Sequence, residues 1–593
     1  MLRILRIVAA LVLFLGITFY FVDFAGFLPT QFSWLERVQL VPALKSHVWI
    51  IIGCILGATI LLGRLYCSTL CPLGVLQDVI NAVSKRVHAK KKFEYKKPVP
   101  FLRGVVLLLF ITGYLALVAR LVAPFAVGAC KRISAYVSWV SLLFDPYSIY
   151  GRITCNVFKP IYQTGNNLYW YVCKLCGIKE VLGLPVYYVK AIPLSLAAVG
   201  VALGFLIVIG YLAWRNGRTY CNTICPVGAF LGLLSRISIF RVWIDQSKCG
   251  SCGLCARECK SSCIDSKGKI VDNSRCVDCF DCLSACHKDA IHYGICYGSK
   301  GKLITEIENK SEKTTAAEKT AEQSTVESSI DSSRREFVGA LIGVTGLTVA
   351  AQALPGSAAE EESAAPVPAE EATPATEAKV GVPETEDPDL FKTGFTPYER
   401  KTPIAPPGAK SIGHLNAHCT ACHLCVAKCP TNILKPATSE YGVKGFMQPH
   451  LDFARGFCNY DCTICGDVCP NHAIVPLTME QKHKVQMGRV HFIVENCVVN
   501  VKNTNCGACS EHCPTQAVRM VPYEPKDKNG EIIRGLTIPE IDPDICVGCG
   551  GCESICPARP FRAIYVEGNA EQHDREEYVE KKPEITEVDD FGF

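Results

Sequence analysis

The sequence has little excess charge of either sign. Its 593 residues include 61 lysines and arginines against 56 aspartates and glutamates, a net charge of +5. Nucleic-acid-binding proteins carry a basic surface, and no stretch here combines basic residues with stacking aromatics. The sequence also has no nucleotide-binding glycine loop after a strand, no nucleophile–base arrangement, and no pattern typical of a molybdenum or flavin site. We therefore expect no nucleic-acid partner, and we find no catalytic residues of a self-contained substrate site.

Long apolar segments are abundant in the first part of the chain. Hydrophobic residues make up 49% of the sequence and the mean hydropathy is +0.21, which is high for a wholly soluble protein. Apolar runs long enough to span a bilayer lie near residues 7–28, 45–63, 102–123 and 190–213. The strongly basic loop between the second and third runs is expected in the cytoplasm by the positive-inside rule. Residues 1–245 are thus predicted to form an all-α membrane domain of four spans, with both ends cytoplasmic and the loop 124–189 on the outer side.

The most informative feature is the number and arrangement of cysteines. Most of the 35 cysteines lie in tight, repeated runs, which disulfides do not require and which 4Fe–4S ligation does. Residues 249–286 contain the spacing C-x2-C-x2-C-x3-C twice, and in such pairs the fourth cysteine of each run ligates the other cluster. Zinc, the alternative ligand of four thiolates, is much less consistent with two interlocked runs. Residues 246–298 are therefore predicted to form a cytoplasmic, α+β ferredoxin-like domain with two clusters, held by Cys249, Cys252, Cys255 and Cys286, and by Cys276, Cys279, Cys282 and Cys259.

The last part of the chain contains four more runs, each closed by Cys-Pro. We expect residues 411–570 to form a second α+β ferredoxin-like domain with four clusters, which brings the total to six. The sequence Cys419–His423 also spells the c-type haem motif C-x-x-C-H, but Cys422 is required by the first run, so haem is not expected. The sixteen candidate ligands are Cys419, Cys422, Cys425, Cys429, Cys458, Cys462, Cys465, Cys469, Cys497, Cys506, Cys509, Cys513, Cys546, Cys549, Cys552 and Cys556.

An export signal is predicted in the middle of the chain. Residues 299–330 and 357–410 have the composition of disordered linkers. Between them, residues 331–356 begin with Arg334 and Arg335 and continue into a moderately apolar run. This pattern predicts a twin-arginine signal or a fifth transmembrane helix, and either would carry the four-cluster domain into the periplasm. Residues 571–593 are expected to be an acidic tail.

Three further sets of residues are less specific. Two C-x3-C-P motifs place Cys67, Cys71, Cys221 and Cys225 at the cytoplasmic ends of two predicted spans. They could hold a further metal centre, form a reversible dithiol or simply end helices. In the predicted outer loop, two disulfides are favoured over a cluster for Cys130, Cys155, Cys173 and Cys176. His47 could help to bind a quinol headgroup, or be an ordinary interfacial histidine.

These motifs carry a family resemblance. With CSTLCP at 67–72, CNTICP at 221–226 and the two-cluster run, the first 300 residues resemble the NapH-type membrane subunit of periplasmic nitrate reductase systems. Residues 331–570 resemble its NapG-type, twin-arginine-exported partner, so the chain looks like the two fused. The resemblance implies a multi-pass protein of the cytoplasmic membrane that passes electrons from quinol, or from a cytoplasmic donor, to a periplasmic reductase. NosR- and CcoG-like relatives imply an alternative, a maturation or regulatory factor that reduces a metal or cofactor of another enzyme.

The resemblance also implies how the last four runs share ligands. In that four-cluster family the first run pairs with the fourth and the second with the third. Carried over, this joins Cys419, Cys422 and Cys425 to Cys556; Cys546, Cys549 and Cys552 to Cys429; Cys458, Cys462 and Cys465 to Cys513; and Cys497, Cys506 and Cys509 to Cys469.

Overall fold

The computed structural model describes residues 1–23, 27–87, 93–122, 144–177, 180–181, 184–185, 188–189, 195–295, 396–525 and 532–575. The chain divides into two units, Met1–Ile295 with Thr393–Phe593, and Cys296–Lys392. The predicted linker 299–330, the signal at 331–356, most of the linker 357–410, Cys130 and residues 576–593 lie outside the described residues.

The first part of the chain, here called the helical domain, is built from long helices joined by short ones. The long helices are Leu2–Val22, Trp49–Leu62, Pro72–Val87, Pro100–Val122, Lys159–Leu175 and Leu196–Asn216, and the short ones are Trp34–Arg37, Leu40–Lys45, Tyr66–Thr69, Pro146–Ile153, Thr219–Thr223 and Pro226–Leu234. Glu180–Val181 and Leu184–Pro185 form a small antiparallel ladder. Two helices, Leu2–Val22 and Leu196–Asn216, are long and apolar enough to cross a membrane, while the described apolar segments Trp49–Leu62 and Pro100–Tyr114 are shorter.

Residues 146–175 form a helix that the sequence did not indicate, here called the inserted helix. It consists of Pro146–Ile153, a π-helical turn Thr154–Phe158, and Lys159–Leu175. All eight residues of its first segment are buried in the helical domain. Asp145 caps this segment by accepting a hydrogen bond from the Ser148 backbone amide at 2.8 Å, which fixes where the helix begins. The connection 124–189, which is predicted to lie on the outer side, therefore contains a buried helix.

The inserted helix also tests the predicted disulfides. Cys155, Cys173 and Cys176 are all unpaired thiols. Cys155 and Cys173 are 18 residues apart on one continuous helix, and a rise of 1.5 Å per residue separates them by about 27 Å. A disulfide requires Cα atoms within about 7 Å, so Cys155 and Cys173 do not pair with each other.

Two domains of short strands and helices follow the helical domain. In the first ferredoxin domain, strands Phe240–Ile244 and Ile291–Ile295 pair antiparallel, as do Ile264–Asp265 and Ile270–Val271. The helices Leu254–Glu258 and Asp281–Ala285 complete this domain. The predicted boundary at residue 245 is therefore a few residues late, because the strand Phe240–Ile244 already belongs to the ferredoxin domain.

The C-terminal domain contains three two-stranded antiparallel sheets. The strand pairs are Leu434–Pro436 with Pro449–Leu451, Val485–Phe492 with Ile564–Asp574, and Val518–Tyr523 with Leu536–Ile541. Its helices are Ile412–His418, Leu424–Lys428, Ile464–Asp467, Met479–Lys484, Val498–Lys502, Ala508–Glu511 and Gly551–Ile555. Ile404, Ala405 and Ala409 are buried, so the predicted linker 357–410 runs too far into the folded domain. The last strand reaches Asp574, so the predicted tail starts too early at residue 571.

The two ferredoxin-type domains contact opposite ends of the same helices. At the start of Leu2–Val22, Arg3 forms an ion pair with Asp281 at 3.0 Å, and just beyond its end Asp23 pairs with Lys428 at 3.2 Å. A helix of 21 residues is about 32 Å long, close to the roughly 30 Å of a bilayer core. The two domains are thus separated by about one membrane thickness along this helix.

Two other long helices run opposite to Leu2–Val22. The segment before Trp49–Leu62 contacts the C-terminal domain through Lys45, which donates to the Ala417 carbonyl, and the helix ends where Leu62 accepts a hydrogen bond from Tyr293 at 2.9 Å. Leu196–Asn216 likewise starts with Ala198 packed among C-terminal residues. It ends next to Arg218, whose amide donates to the Lys260 carbonyl at 2.9 Å. Both directions are those expected for the second and fourth predicted spans.

Candidate iron–sulfur sites

Each regular cysteine run wraps around a short helix that begins at a left-handed residue. Gly253, Phe280, His423 and Gly550 precede five-residue helices and have φ of 73°, 62°, 63° and 77°. The left-handed turn reverses the backbone so that the three thiols of a run point to one centre. The two runs with widened spacing differ, because Thr463 and Gly507 have φ of −115° at the corresponding position. In both of these runs the extra residues lie between the first and second cysteines.

The first ferredoxin domain joins its thiols as the sequence predicts. Burial raises the pKa of Cys255, and the neighbouring thiols of Cys249, Cys252 and Cys286 raise it further. These four cysteines are group 1. A cavity is lined by Cys259, Cys276, Cys279 and Cys282, which are group 2, and also by Cys263, whose sulfur lies 3.5 Å from that of Cys259. The structure thus brings the fourth cysteine of each run together with the first three cysteines of the other run.

In the C-terminal domain the runs pair differently from the pattern that the resemblance implies. One cavity is lined by the second run with Cys429, and another by the third run with Cys556. Burial is the main cause of the raised pKa of Cys425, and it is raised further by the neighbouring thiols of Cys422, Cys419 and Cys469. Adjacent runs thus exchange ligands, first with second and third with fourth, and the predicted pairing of first with fourth and second with third is wrong.

Four thiol groups result, numbered from the helical domain outward. They are group 3 (Cys419, Cys422, Cys425, Cys469), group 4 (Cys458, Cys462, Cys465, Cys429), group 5 (Cys546, Cys549, Cys552, Cys513) and group 6 (Cys497, Cys506, Cys509, Cys556).

The six groups form two series of neighbours. Groups 1 and 2 meet at Cys255 and Cys282, and groups 3 and 4 at Cys425 and Cys465, where one thiol acts electrostatically on the other. Groups 4 and 5 touch directly, because the amide of Cys458 donates to the carbonyl of Cys549 at 2.9 Å. Groups 5 and 6 are neighbours through Cys552 and Cys509.

The two C-x3-C-P motifs meet at the inner end of the helical domain. Cys67, Cys71, Cys221 and Cys225, here called the CP group, are all buried. Burial raises the pKa of Cys225 well above its usual value, and the thiols of Cys221, Cys71 and Cys67 add to the rise. Gln77 donates to the Cys221 sulfur at 3.3 Å, and the amide of Gly228 donates to the Cys225 sulfur at 3.3 Å. The structure therefore assembles the four thiols that the sequence placed at one face.

Buried positive charge surrounds the CP group. Arg64 and Arg218 have exposed fractions of 0% and 1%. The Arg64 Nη2 lies 3.7 Å from the Cys67 sulfur and donates to the Cys221 carbonyl at 3.3 Å, while Arg218 donates to the Cys67 carbonyl. The Nε of Arg64 has no hydrogen-bond partner. Uncompensated buried cations cost free energy, so this surrounding is suited to a group of negative charge.

The nearest carboxylate does not balance these cations. Asp78 lies within 3.0 Å of Arg6 and within 2.8 Å of both Arg218 and Lys260. Although burial alone would raise the pKa of Asp78, the charges of Arg218 and Lys260 hold it well below its usual range. Lys260 is shared with Asp281 at 3.2 Å, whereas Arg6 and Arg218 have Asp78 as their carboxylate partner. The remaining positive charge fits an anionic 4Fe–4S centre on the four thiols, whose N–H···S hydrogen bonds are typical of such sites.

A site for a single metal ion differs from a cluster site in how its ligands are arranged. Within the described ranges, no three histidine, cysteine or acidic side chains converge closely enough to hold one metal ion. A tetrahedral zinc site needs four sulfurs about 2.3 Å from one ion.

The inserted helix connects the CP group with group 3. Next to Cys221, the Tyr220 hydroxyl donates to the Phe144 carbonyl at 2.7 Å, just before the helix begins. Along its first segment, Gly151 packs against the carbonyl of Cys422. Eight helical residues span about 12 Å. One continuous hydrophobic core runs from Cys279 in group 2 through the CP group to Cys422 and Cys425 in group 3.

Two histidines considered in the sequence have distinct surroundings. His423 is buried, accepts from Asn156 at 3.0 Å and faces the Met447 carbonyl at 3.0 Å. Burial lowers the pKa of His423 to about 3, so it is a neutral contact to the inserted helix. His47 is partly buried with a left-handed φ of 56°, and its Nε2 has no hydrogen-bond partner.

Sequence reasoning missed Glu36. It is fully buried in the contact between the helical and C-terminal domains. A usable signal was present, because the first 93 residues contain only three acidic side chains, Asp23, Glu36 and Asp78. Asp23 and Glu36 are buried, and the side chain of Asp78 is 13% exposed.

Fold and site together define a multi-domain, ferredoxin-type 4Fe–4S electron-transfer protein. The 4Fe–4S dicluster domain family matches residues 502–559, and the 4Fe–4S binding domain family matches residues 47–91 and 196–244. The first match spans most of the third and fourth runs, in agreement with their shared ligands. The second covers both C-x3-C-P motifs. No solved structure matches the chain.

Curated relatives agree with this class. The chain is similar to the methylamine utilization ferredoxin-type protein MauM of Methylophilus methylotrophus, with 32% identity over 27% of this chain and 69% of the relative. It is similar to the ferredoxin-type proteins NapF and NapG of Escherichia coli K12, with 24% and 29% identity over 28% and 26% of this chain and 85% and 65% of theirs. By its match to MauM, the chain belongs to the family of MauM-like ferredoxin-type proteins.

Proposed function

We propose that this protein carries electrons between the two ends of a membrane-embedded helical domain and delivers them to a redox partner in the periplasm. The donor is quinol or a cytoplasmic electron carrier, and the acceptor is a periplasmic reductase. Groups 1 to 6 each hold a 4Fe–4S cluster, and the CP group holds a seventh.

The observation that carries this proposal is the sequence of neighbouring thiol groups. Groups 1 and 2 contact one end of the helices, groups 3 to 6 extend from the other end, and the CP group with the inserted helix lies between them. Group 6 is the farthest group along this series. Two of its cysteines, Cys506 and Cys509, are partly exposed. An electron arriving at group 3 would therefore leave at group 6.

The proposed location follows from the direction of the helices. Four spans with both ends in the cytoplasm place the first ferredoxin domain inside, and the signal at Arg334 and Arg335 takes the C-terminal domain to the periplasm. Contacts of the two domains with opposite helix ends support this topology.

Reporter fusions test the topology. Fusions after residue 295 and after residue 593 should report opposite compartments, and replacing Arg334 and Arg335 by lysine should retain the second reporter inside. Identical compartments in the unmodified chain would contradict the proposal.

Redox titration tests the function. Anaerobically purified full-length protein in lipid nanodiscs should become reduced when a hydroquinone such as menadiol is added, and electron paramagnetic resonance should show reduced clusters of the C-terminal domain. In cells, deletion should abolish one respiratory activity while its reductase remains fully metallated. A reductase that lacks its metal would instead favour the maturation factor.

A further inference from the structure

The cavity of group 2 contains one thiol more than a 4Fe–4S cluster needs. Five cysteines line this cavity, although one cube takes four thiolates. The fifth is Cys263, which follows the first run and has an exposed fraction of 1%. Its sulfur lies 3.5 Å from the sulfur of Cys259 and also contacts that of Cys276. The surplus thiol therefore lies inside the proposed cluster site.

The sulfurs of Cys259 and Cys263 are too far apart for a disulfide and too close for two separate corners of a cube. A disulfide joins sulfurs at about 2.05 Å, and both cysteines are free thiols. The four ligand sulfurs of a cube bind four different irons and point away from its centre, so they stand well apart. Two sulfurs at 3.5 Å thus face the same corner, which binds one of them at a time.

The backbone directs both side chains to this corner. Between them, Ser262 has a left-handed φ of 50°, and its amide donates to the carbonyl of Cys259 at 3.0 Å. The carbonyl of Cys263 accepts from the amide of Asp272 at 2.9 Å, next to the small sheet that begins at Ile264. These bonds fix the position of Cys263 without any contribution from its thiol.

The second run of the same domain provides an internal comparison. When the two runs are aligned at their cysteines, Cys286 corresponds to Cys259, and Ala290 corresponds to Cys263. The residue before Ala290 is left-handed, as Ser262 is, and Ala290 is equally buried at 1% exposed. The amide of Ala290 donates to the Cys286 sulfur at 3.3 Å, so this position lies against the fourth ligand. Because a methyl group is enough to pack there, packing does not explain the sulfur of Cys263.

We propose that Cys263 is a reserve ligand of group 2, which takes the place of Cys259 at the shared corner. This inference rests on the proposed cluster in group 2 and extends its ligand set to a fifth residue. In the exchange, the Cys263 thiol gives its proton to the Cys259 sulfur and binds the iron that Cys259 leaves. One iron–sulfur bond breaks and one forms, no electron is gained or lost, and no further reactant is needed.

The position of group 2 gives this exchange a purpose. Cys279 of group 2 belongs to the hydrophobic core that contains the CP group, whereas group 1 includes the exposed Cys252. Loss of the group 2 cluster would therefore interrupt the series of thiol groups where the first ferredoxin domain meets the helical domain. Ligand thiolates are open to oxidation, and a second thiol at the same corner keeps the cluster bound when Cys259 is damaged.

The test compares the fourth ligands of the two groups in full-length protein purified anaerobically. Cys259→Ala should keep the iron and sulfide content of the unmodified protein, because Cys263 binds the free corner. Cys286→Ala is the matched control, since Ala290 offers no sulfur. It should lose one iron atom if a three-iron cluster remains, and about four iron atoms if the whole cluster is lost. Cys259→Ala combined with Cys263→Ala should behave like this control, whereas Cys263→Ala alone should keep the full content.

Electron paramagnetic resonance supplies a readout that does not depend on turnover. Groups 1 and 2 are neighbours through Cys255 and Cys282, so their reduced clusters should broaden each other's spectra. This magnetic interaction should persist in Cys259→Ala and should disappear in Cys286→Ala and in the double variant. Cys259→Ser, which keeps the size of the side chain, should give the same result as Cys259→Ala and covers the case in which alanine destabilises the domain.

The outcomes separate this inference from the proposed function. If Cys259→Ala and Cys259→Ser lose iron and the magnetic interaction as Cys286→Ala does, Cys263 is not a ligand, while the clusters of the unmodified protein remain as proposed. Retention of both in the double variant would also overturn the inference, because another group would then bind the corner. If the unmodified protein shows no interacting pair of clusters in the first ferredoxin domain, group 2 holds no cluster, and the proposed function fails together with the inference.

Discussion

Gly151 of the inserted helix lies directly against the backbone carbonyl of Cys422 in group 3. A Cβ atom at Gly151 would come within 2.3 Å of that oxygen. We therefore predict that Gly151→Ala displaces the C-terminal domain from the helical domain and slows electron transfer into group 3. Gly165→Ala is the matched control on the same helix, because nothing lies within 4 Å of its added methyl group. Limited proteolysis and cluster reduction kinetics measure both effects, and equal behaviour of the two variants would contradict the packing described.

The exchange of ligands between adjacent runs predicts which clusters a cysteine variant damages. Cys469→Ser should impair group 3 and so block electrons from menadiol before they enter the C-terminal domain. Cys556→Ser should impair only group 6, so groups 3 to 5 should still become reduced. Electron paramagnetic resonance of each variant distinguishes these results. Loss of group 3 signals in Cys556→Ser would instead restore the pairing of the first run with the fourth.

The CP group predicts iron beyond the ferredoxin runs. Seven clusters correspond to about 28 iron atoms and about 28 sulfides per chain. Cys67→Ser combined with Cys221→Ser should lower both by about four. Cys155→Ser, which removes a buried thiol outside every group, should leave them unchanged. An unmodified protein with about 24 of each would mean that the CP group holds no cluster.

Asp78 pairs with three cations at once, so its removal should be costly. Asp78→Asn leaves Arg6, Arg218 and Lys260 without their shared partner, and breaking a buried ion pair in this way costs about 3–5 kcal/mol. The half-exposed pair of Arg489 and Asp544 provides the control, since Arg489→Gln should cost less than about 1 kcal/mol. Thermal loss of cluster absorbance in detergent measures the difference, and comparable losses would refute it.

Glu36 should make stability depend on pH. Burial raises the pKa of Glu36 from 4.5 to about 8 in the folded protein, so the folded state holds a proton that the unfolded state releases between these values. The stabilisation is complete below pH 4.5 and is lost as pH rises towards 8. In Glu36→Gln this part of the pH dependence should disappear. Thermal midpoints measured from pH 5 to 8 test it, and parallel curves for both proteins would contradict the raised pKa.

Local spacing was sufficient to predict which thiols of a regular run the structure brings together. A run such as Cys249, Cys252 and Cys255 fixes its own geometry through one left-handed turn, so the ligands are encoded within about ten residues. The exchange of Cys259 and Cys286 follows because only two runs are present in that domain.

Contacts distant in sequence were not predictable in the same way. Cys469 and Cys556 follow runs of similar length, so spacing cannot tell which run each completes, and the packing of the surrounding strands decides. The inserted helix escaped notice because it buries polar residues such as Asn156, whose side chain donates to the Arg152 carbonyl and contacts His423. Such polar residues interrupt the hydrophobic pattern of the sequence, even though they are buried and form hydrogen bonds within the protein.

The contacts of the inserted helix also bear on how the chain matures. Lys159, which is buried, donates to the carbonyl of Ala427, and Asn156 contacts His423, so polar groups of the helical domain find their partners in a domain synthesised more than 200 residues later. Until the C-terminal domain arrives, the helical domain is therefore incomplete, and a chaperone or protease could recognise the unfinished state. Maturation would then be cooperative between the two ends of the chain, with cluster insertion in the last domain as the step that completes the first.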